Sequence, residues 1–259
     1  MSVSPIPSVP AVVLAGGRNK PPMAAAAGSE YRALTPFRGR PMVDHVVRAL
    51  CEAESVAEIT VVGPIPASNG FRVIADHGGF VENIYAGLDA VEAEFVLIST
   101  SDIPFVTSES IDAFIAQARA EDADVVYPVV RLEDCYKQFP GIKRTAVRLK
   151  EGEFTGGNVA LVRKEFMDTQ RERIARAYGL RKSPLQLALM IGLGTAIKLA
   201  GTIILRRPLL SIPQLESSIS RVIGGKSLAA VTGYAELATD IDRDSDLAVA
   251  ESVRTLPES

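Results

Sequence analysis

Through its first half the chain alternates short apolar runs with amphipathic stretches. Pro10-Ala11-Val12-Val13-Leu14-Ala15 is apolar, rich in β-branched residues, and ends at Gly16-Gly17, as a buried parallel strand entering a turn should. After a polar, alanine-rich loop, Pro41 opens a segment in which Val43, Val46, Val47 and Leu50 recur at helical spacing, and proline suits a first turn. Strands are then predicted over 58–62 and 71–74, and a helix over 81–91 with Ile84, Leu88 and Val91 on one face. A strand over 94–99, a helix over 108–118 and a strand over 123–129 follow. Strands alternating with helices require right-handed crossovers, so the expected class is α/β with a doubly wound, mostly parallel sheet.

Beyond residue 130 the rhythm changes. Strands over 145–149 and 158–162, around the turn Lys150-Glu151-Gly152-Glu153, predict a small antiparallel extension. Helices dominate 164–224 as a helical insertion, and a strand over 227–231 with a helix over 244–253 closes the pattern. The stretch Pro184 to Leu205 is apolar enough to score as a membrane span, yet Lys198 interrupts it, and three glycines and flanking Arg181, Lys182, Arg206 and Arg207 accompany it. It reads either as a buried or surface hairpin of helices or as an element in peripheral contact with a membrane; the internal charge favours the hairpin.

Composition narrows the function classes. With 28 basic against 31 acidic side chains among 259 residues and a net charge of −3, the chain lacks the basic footprint of a nucleic-acid binder. Cys51 and Cys135 have no spacing suited to zinc, and a chain with 47% hydrophobic residues can build a core without a disulfide. The first residues carry no basic segment ahead of an apolar one, so no signal peptide is read and the cytoplasm is the expected compartment.

Ligands of parallel sheets bind at the carboxyl ends of the strands, and three segments there carry candidate chemistry. In Leu14-Ala15-Gly16-Gly17-Arg18, two glycines let backbone N–H groups approach a polyphosphate, although an ordinary strand-to-loop turn would look the same. Asp102, in Ser99-Thr100-Ser101-Asp102-Ile103-Pro104, follows a buried strand directly. Thr107 or Ser108 already serves to cap the next helix, which leaves Asp102 available as a metal ligand. Asp240 and Asp242 share one side of an extended segment and would suit a divalent cation, or else belong to an acidic loop ahead of Asp244 as an N-cap.

Taken together, AVVLAGG, ALTPFRGRPMVDHVVRAL, STSDIPF, the TGGN of Thr155 to Asn158 and the terminal DIDRDSDL resemble, in order and spacing, the MobA-like nucleotidyltransferases from about Ala11 to Ala250. The resemblance implies a Rossmann-like fold in one domain, with a nucleotide-binding half over about 10–130 and an acceptor-binding half over about 131–259. It puts Leu14, Ala15, Gly16, Gly17 and Arg18 against the nucleotide, and makes Asp102 and Asp242, with Asp240 beside them, the Mg²⁺ ligands. The implied reaction moves a nucleoside monophosphate from a nucleoside triphosphate onto a small phosphorylated acceptor, with release of pyrophosphate.

The sequence departs from the family pattern after the two glycines, where RNKPPMAAAAGSEYRAL replaces G-x-S-x-R-M-G-x-x-K. Arg32 stands where the family lysine would, and Lys20 is the other candidate; Arg18 with Arg32 or Lys20 would hold the leaving pyrophosphate. Asn83 would read the base edge or else cap a helix. Thr155, Gly156, Gly157 and Asn158, with Lys143 and Arg144, would meet the acceptor. His45 and His77 have no nucleophile motif beside them and are read as structural. Two other functions remain open: a nucleotide-sugar glycosyltransferase using Asp240-Ile241-Asp242, and a non-catalytic nucleotide-binding or membrane-docked regulator.

Overall fold

A computed structural model describes residues 8–67, 70–180, 192–205 and 207–252. Strand β1 (Val9–Leu14) is buried along its whole length and pairs in parallel with β4 (Val56–Val62) on one side and β6 (Phe95–Thr100) on the other. β5 (Arg72–Ile74) extends the sheet beyond β4. Because side chains alternate along a strand, Ala11 and Val13 face one layer and Val12 and Leu14 the other. The first layer holds α2 (Met42–Glu52) and α4 (Ser108–Arg119), with Val46, Leu50, Ile111 and Phe114 in its core. In the second lie α3 (Phe80–Asp89), through Ile84 and Leu88, and α6 (Lys164–Thr169), through Phe166 and Met167. Thr107 caps α4 reciprocally with Ser110, in accord with the cap read from sequence.

The other half of the sheet carries the expected antiparallel strands but places one of them inside the main sheet. Strand β10 (Val159–Arg163) lies in the middle of the main sheet, antiparallel to both β6 and β7 (Val125–Arg131), with Leu161 opposite Leu97 and Val126. The expected turn over 150–153 is shorter: β8 (Val147–Leu149) turns directly into β9 (Gly152–Gly156), which pairs with the far half of β7. β11 (Ser227–Thr232) runs parallel to β7. The order is therefore β5-β4-β1-β6-β10-β7, with β9 and β11 on β7 and β8 on β9. The strands β2 (Pro36–Phe37) and β3 (Arg40–Pro41) form a separate small hairpin.

Two helices escaped the periodicity reading. α1 (Pro21–Ala27) lies in the stretch taken as a loop, and α5 (Leu132–Gln138) follows β7. Among the described residues the predicted helical insertion holds α6, α7 (Arg171–Leu180), α8 (Leu193–Leu205) and α9 (Ile212–Ile223), ahead of α10 (Asp244–Ser252). Asp244 is the first residue of α10, within its first turn. Among the described residues no helix is long and apolar enough to cross a membrane; residues 184–191 of the apolar stretch lie outside them.

Helix α3 sits close to the sheet because Gly87 has no side chain, and a Cβ there would stand 2.2 Å from Cγ1 of Val12. Gly87→Ala sets a gain in helix propensity of about 1 kcal/mol against overpacking of about 1–3 kcal/mol. Overpacking should prevail, lowering the urea midpoint at unchanged m-value, with Val12→Ala restoring it. A midpoint equal to or above that of the parent chain would refute this packing.

Candidate active site

Leu14 and Thr100 are register partners, so the loops after β1 and β6 leave the sheet side by side, where β1 lies between β4 and β6. The loop after β1 is shaped by its neighbours. A Cβ on Gly16 would fall 2.5 Å from Asn83 Nδ2 and 2.6 Å from Asp76 Oδ1, whereas one on Gly17 would meet nothing within 4 Å. Gly16 is thus needed for close approach, and Gly17 faces open space. Asn83 is not the cap of α3, since Gly79 stands at its N-cap. The Asn83 amide donates to Asp76 (2.8 Å) and its oxygen accepts from the His77 N–H (2.8 Å), while Asp76 also accepts from the Gly78 N–H at 3.1 Å. Together they form the wall of a cleft of about 360 Å³ that Leu14, Gly16, Gly17, Arg18, Arg32 and Asp102 also line. Ala15 is fully buried in the core beside this loop.

Opposite, the segment 29–32 is tied to the glycine loop. Asn19 N–H donates to Glu30 (2.8 Å) and Arg32 N–H to Gly17 (2.9 Å). Arg18 pairs with Glu30 and lies over the Tyr31 ring. This pairing directs Arg32 into the cleft, where it donates to Asp102 Oδ2 at 2.8 Å and pairs with Asp242 Oδ1 at 2.5 Å. Burial alone would lower its pKa, but Asp102, Asp242 and Asp240 outweigh it and raise the guanidinium above its ordinary value. Lys20 is exposed at the head of α1 and lines neither this cleft nor the next.

Asp102 itself is buried and held by the Thr100 hydroxyl at 2.6 Å. Its carbonyl accepts from the Ile241 N–H at 2.9 Å, which brings residues 240–242 against the strand end. Carboxylate oxygens of Asp102, Asp240 and Asp242 lie within 4.8 Å of one another, a set of hard oxygen donors that fits Mg²⁺ completed by substrate phosphate oxygens. Arg144, its side chain 5% exposed, pairs with Asp240 and donates to the Asp240 carbonyl at 3.1 Å.

On the far side of these carboxylates lies a second cleft of about 290 Å³. Thr155, Gly156, Gly157 and Asn158 line it with Lys143, Arg144 and Arg243. The Gly157 N–H donates to Pro128, the Asn158 N–H donates to Leu237 (2.7 Å), and the Asn158 carbonyl accepts from Thr100 (2.9 Å), so this segment joins β6 to the 235–238 turn. Tyr127, whose hydroxyl donates to the Gly157 carbonyl, and Asp246, whose carboxyl burial pushes above the usual range, went unnoticed in the sequence. Asp76 did too, although an aspartate two residues before glycine is a turn signal. His45 donates from Nε2 to the Phe37 carbonyl in the small hairpin, and His77 lends its backbone N–H to the cleft wall.

The sequence profile of the MobA-like NTP transferase domain matches residues 11–185, more than half of the 259. The chain belongs to this family. A hypothetical transferase of known structure from Thermus thermophilus is 36% identical and superposes with a TM-score of 0.81, over 92% of this chain and 99% of that one. A probable molybdenum cofactor guanylyltransferase of Natranaerobius thermophilus is 26% identical over 48% of this chain and 61% of its own length. A 2-C-methyl-D-erythritol 4-phosphate cytidylyltransferase of Streptomyces coelicolor is 32% identical over 41% of this chain and 46% of its own. The chain thus spans about half the length of these two curated relatives. The family is one of nucleotidyltransferases of Rossmann-like fold.

Glu236, in the turn beneath the acidic segment, is 5% exposed and touches Thr107 Oγ1 and Gln138 Nε2. Burial raises its carboxyl pKa despite these hydrogen bonds. A raised acid favours the folded state only while protonated, so stability falls as pH rises from about 4.3, the unfolded value, through the folded pKa. Glu236→Gln should therefore raise the denaturant midpoint at pH 7, with the gain shrinking toward pH 4. A gain that stays constant across that range, or a loss at pH 7, would contradict the assignment.

Proposed function

We propose that the chain transfers a nucleoside monophosphate from a nucleoside triphosphate to a small phosphorylated acceptor, releasing pyrophosphate and using Mg²⁺. The observation that carries this reading is the position of Asp102, Asp240 and Asp242 at the junction of two clefts, one walled by a glycine loop and the other by cations. The names of the curated relatives, a guanylyltransferase and a cytidylyltransferase, agree with it.

In this reading the triphosphate lies along the open face of Gly17, within reach of backbone N–H groups and Arg18. The acceptor phosphate lies against Lys143, Arg144 and Arg243, its oxygen directed in line at the α-phosphorus, so that pyrophosphate leaves toward the glycine loop. Asp102, Asp240 and Asp242 would hold Mg²⁺, which would supply charge neutralisation at the phosphoryl oxygens. Arg32, now held by Asp102 and Asp242, would take the part of the family lysine and meet the pyrophosphate oxygens. No side chain need act as a covalent nucleophile.

Arg32 also motivates a second reading. Its two carboxylate contacts would suit a regulator that binds a nucleotide without turnover. An assay of pyrophosphate release with each nucleoside triphosphate, Mg²⁺ and a panel of phosphorylated acceptors separates the two. Acceptor-dependent release is expected, falling at least roughly a hundredfold in Asp102→Ala. Triphosphate binding without any release would favour the regulator.

A further inference from the structure

The acceptor cleft does not end at its cations. Tyr127 forms a wall shared with a second space of about 210 Å³. A Cβ on Gly156 would lie 2.8 Å from the Tyr127 ring, so the ring rests against the strand that carries Thr155 and Gly156, and these three residues line both spaces. Beyond them the lining turns apolar: Val129, Val147, Leu149, Phe154, Leu215 and Ile219, between the β7–β9 strands and α9. Its charged group is already engaged, since Glu216 accepts from the Ala229 N–H at 2.7 Å.

Three large hydrophobic side chains are left open at this place: Tyr127 at 39%, Val147 at 37% and Ile219 at 38% exposure. Open apolar side chains grouped around a cavity mark a binding surface. The volume exceeds that of an apolar cavity of about 150 Å³ able to take a benzene ring. A polar acceptor such as a bare sugar phosphate would leave this surface against water.

We propose that the acceptor is amphipathic, a phosphomonoester whose phosphate meets Lys143, Arg144 and Arg243 and whose apolar portion seats beyond Tyr127 in this pocket. The identity of the phosphate end rests on the nucleotidyl-transfer reading. The apolar end rests on the adjacency of the two spaces, which share Tyr127, Thr155 and Gly156 as lining. Tyr127 separates the two environments, its hydroxyl turned to the Gly157 carbonyl and its ring facing the apolar side.

The probes are methyl, n-propyl and n-hexyl phosphate, with binding followed by calorimetry in the presence of Mg²⁺. Each methylene buried is worth about 0.8 kcal/mol, or up to roughly fourfold in affinity. Affinity should rise from methyl to hexyl, and the rise should flatten in both Ile219→Lys and Val147→Asp. Both positions are exposed enough to accept a charge without unfolding. Val231→Lys, at an exposed position outside the pocket, should keep the full rise. No binding by any ester, affinity independent of chain length, or a rise that survives in both pocket variants would overturn the proposal. Pyrophosphate release with the same esters separates the two readings. Equal kcat/KM for methyl and hexyl phosphate would overturn the amphipathic acceptor and leave nucleotidyl transfer intact. A chain-length-dependent affinity without release would support the pocket and overturn the transfer reading.

Discussion

Charge balance at the strand ends governs this molecule. Three carboxylates with oxygens within 4.8 Å of one another repel by about 3.5 kcal/mol per pair at an effective dielectric near 20. Summed over three pairs, and before screening of the half-exposed Asp242, that is comparable to the whole stability of about 5–15 kcal/mol of an ordinary domain. Such a cluster persists only beside cations. Arg32 supplies one, across Asp102 and Asp242, and Arg144 the other, on Asp240. Arg144 is the more deeply buried and also grips the Asp240 carbonyl, so it fixes the segment. The Arg32 guanidinium is held through side chains alone, one of them half exposed, and is the cation better placed to exchange.

Backbone hydrogen bonds make this balance geometric. Asp102 accepts from Ile241, Asn158 donates to Leu237, and Thr100 donates to Asn158. These three bonds stitch the end of β6, the junction of β9 and β10, and the acidic segment into one floor beneath both clefts. Gly157 permits the stitch, because a Cβ there would stand 2.6 Å from Pro128 Cγ and 3.1 Å from the Leu237 carbonyl. The Thr155-to-Asn158 segment therefore shapes the floor through its backbone as well as lining the second cleft.

Much of the fold was legible because burial on both faces makes β1 and β6 continuous apolar runs, while burial of one face gives α2 and α4 their helical spacing. Local chemistry marked Thr107 or Ser108 as a cap, of which the structure uses Thr107, and Gly16-Gly17 as a turn at the ligand edge. What was missed has identifiable causes. Pro21 to Ala27 combines prolines at the helix start with alanine, the best helix former, but its polar surroundings disguised it as a loop. The strand Gly152–Gly156 was absorbed into an overlong turn, since Gly152 at φ +137° lies at the turn and also begins the strand. Leu132 to Gln138 is mostly polar, and buries only Cys135. In the site, the positions of Asp102, Asp240 and Asp242 were readable from strand ends and alternation. The bridging roles of Arg32 and Arg144 were not: their partners stand 70 and 96 residues away, and no local pattern records such pairings.

The most direct test of this account is crystallographic: anomalous diffraction from the chain crystallised with Mn²⁺ and a non-hydrolysable nucleoside triphosphate. The account predicts one anomalous peak among Asp102, Asp240 and Asp242, with Arg32 turned from Asp102 to the triphosphate and Arg144 still on Asp240. Triphosphate bound without metal there, with Arg32 still bridging Asp102 and Asp242, would contradict it.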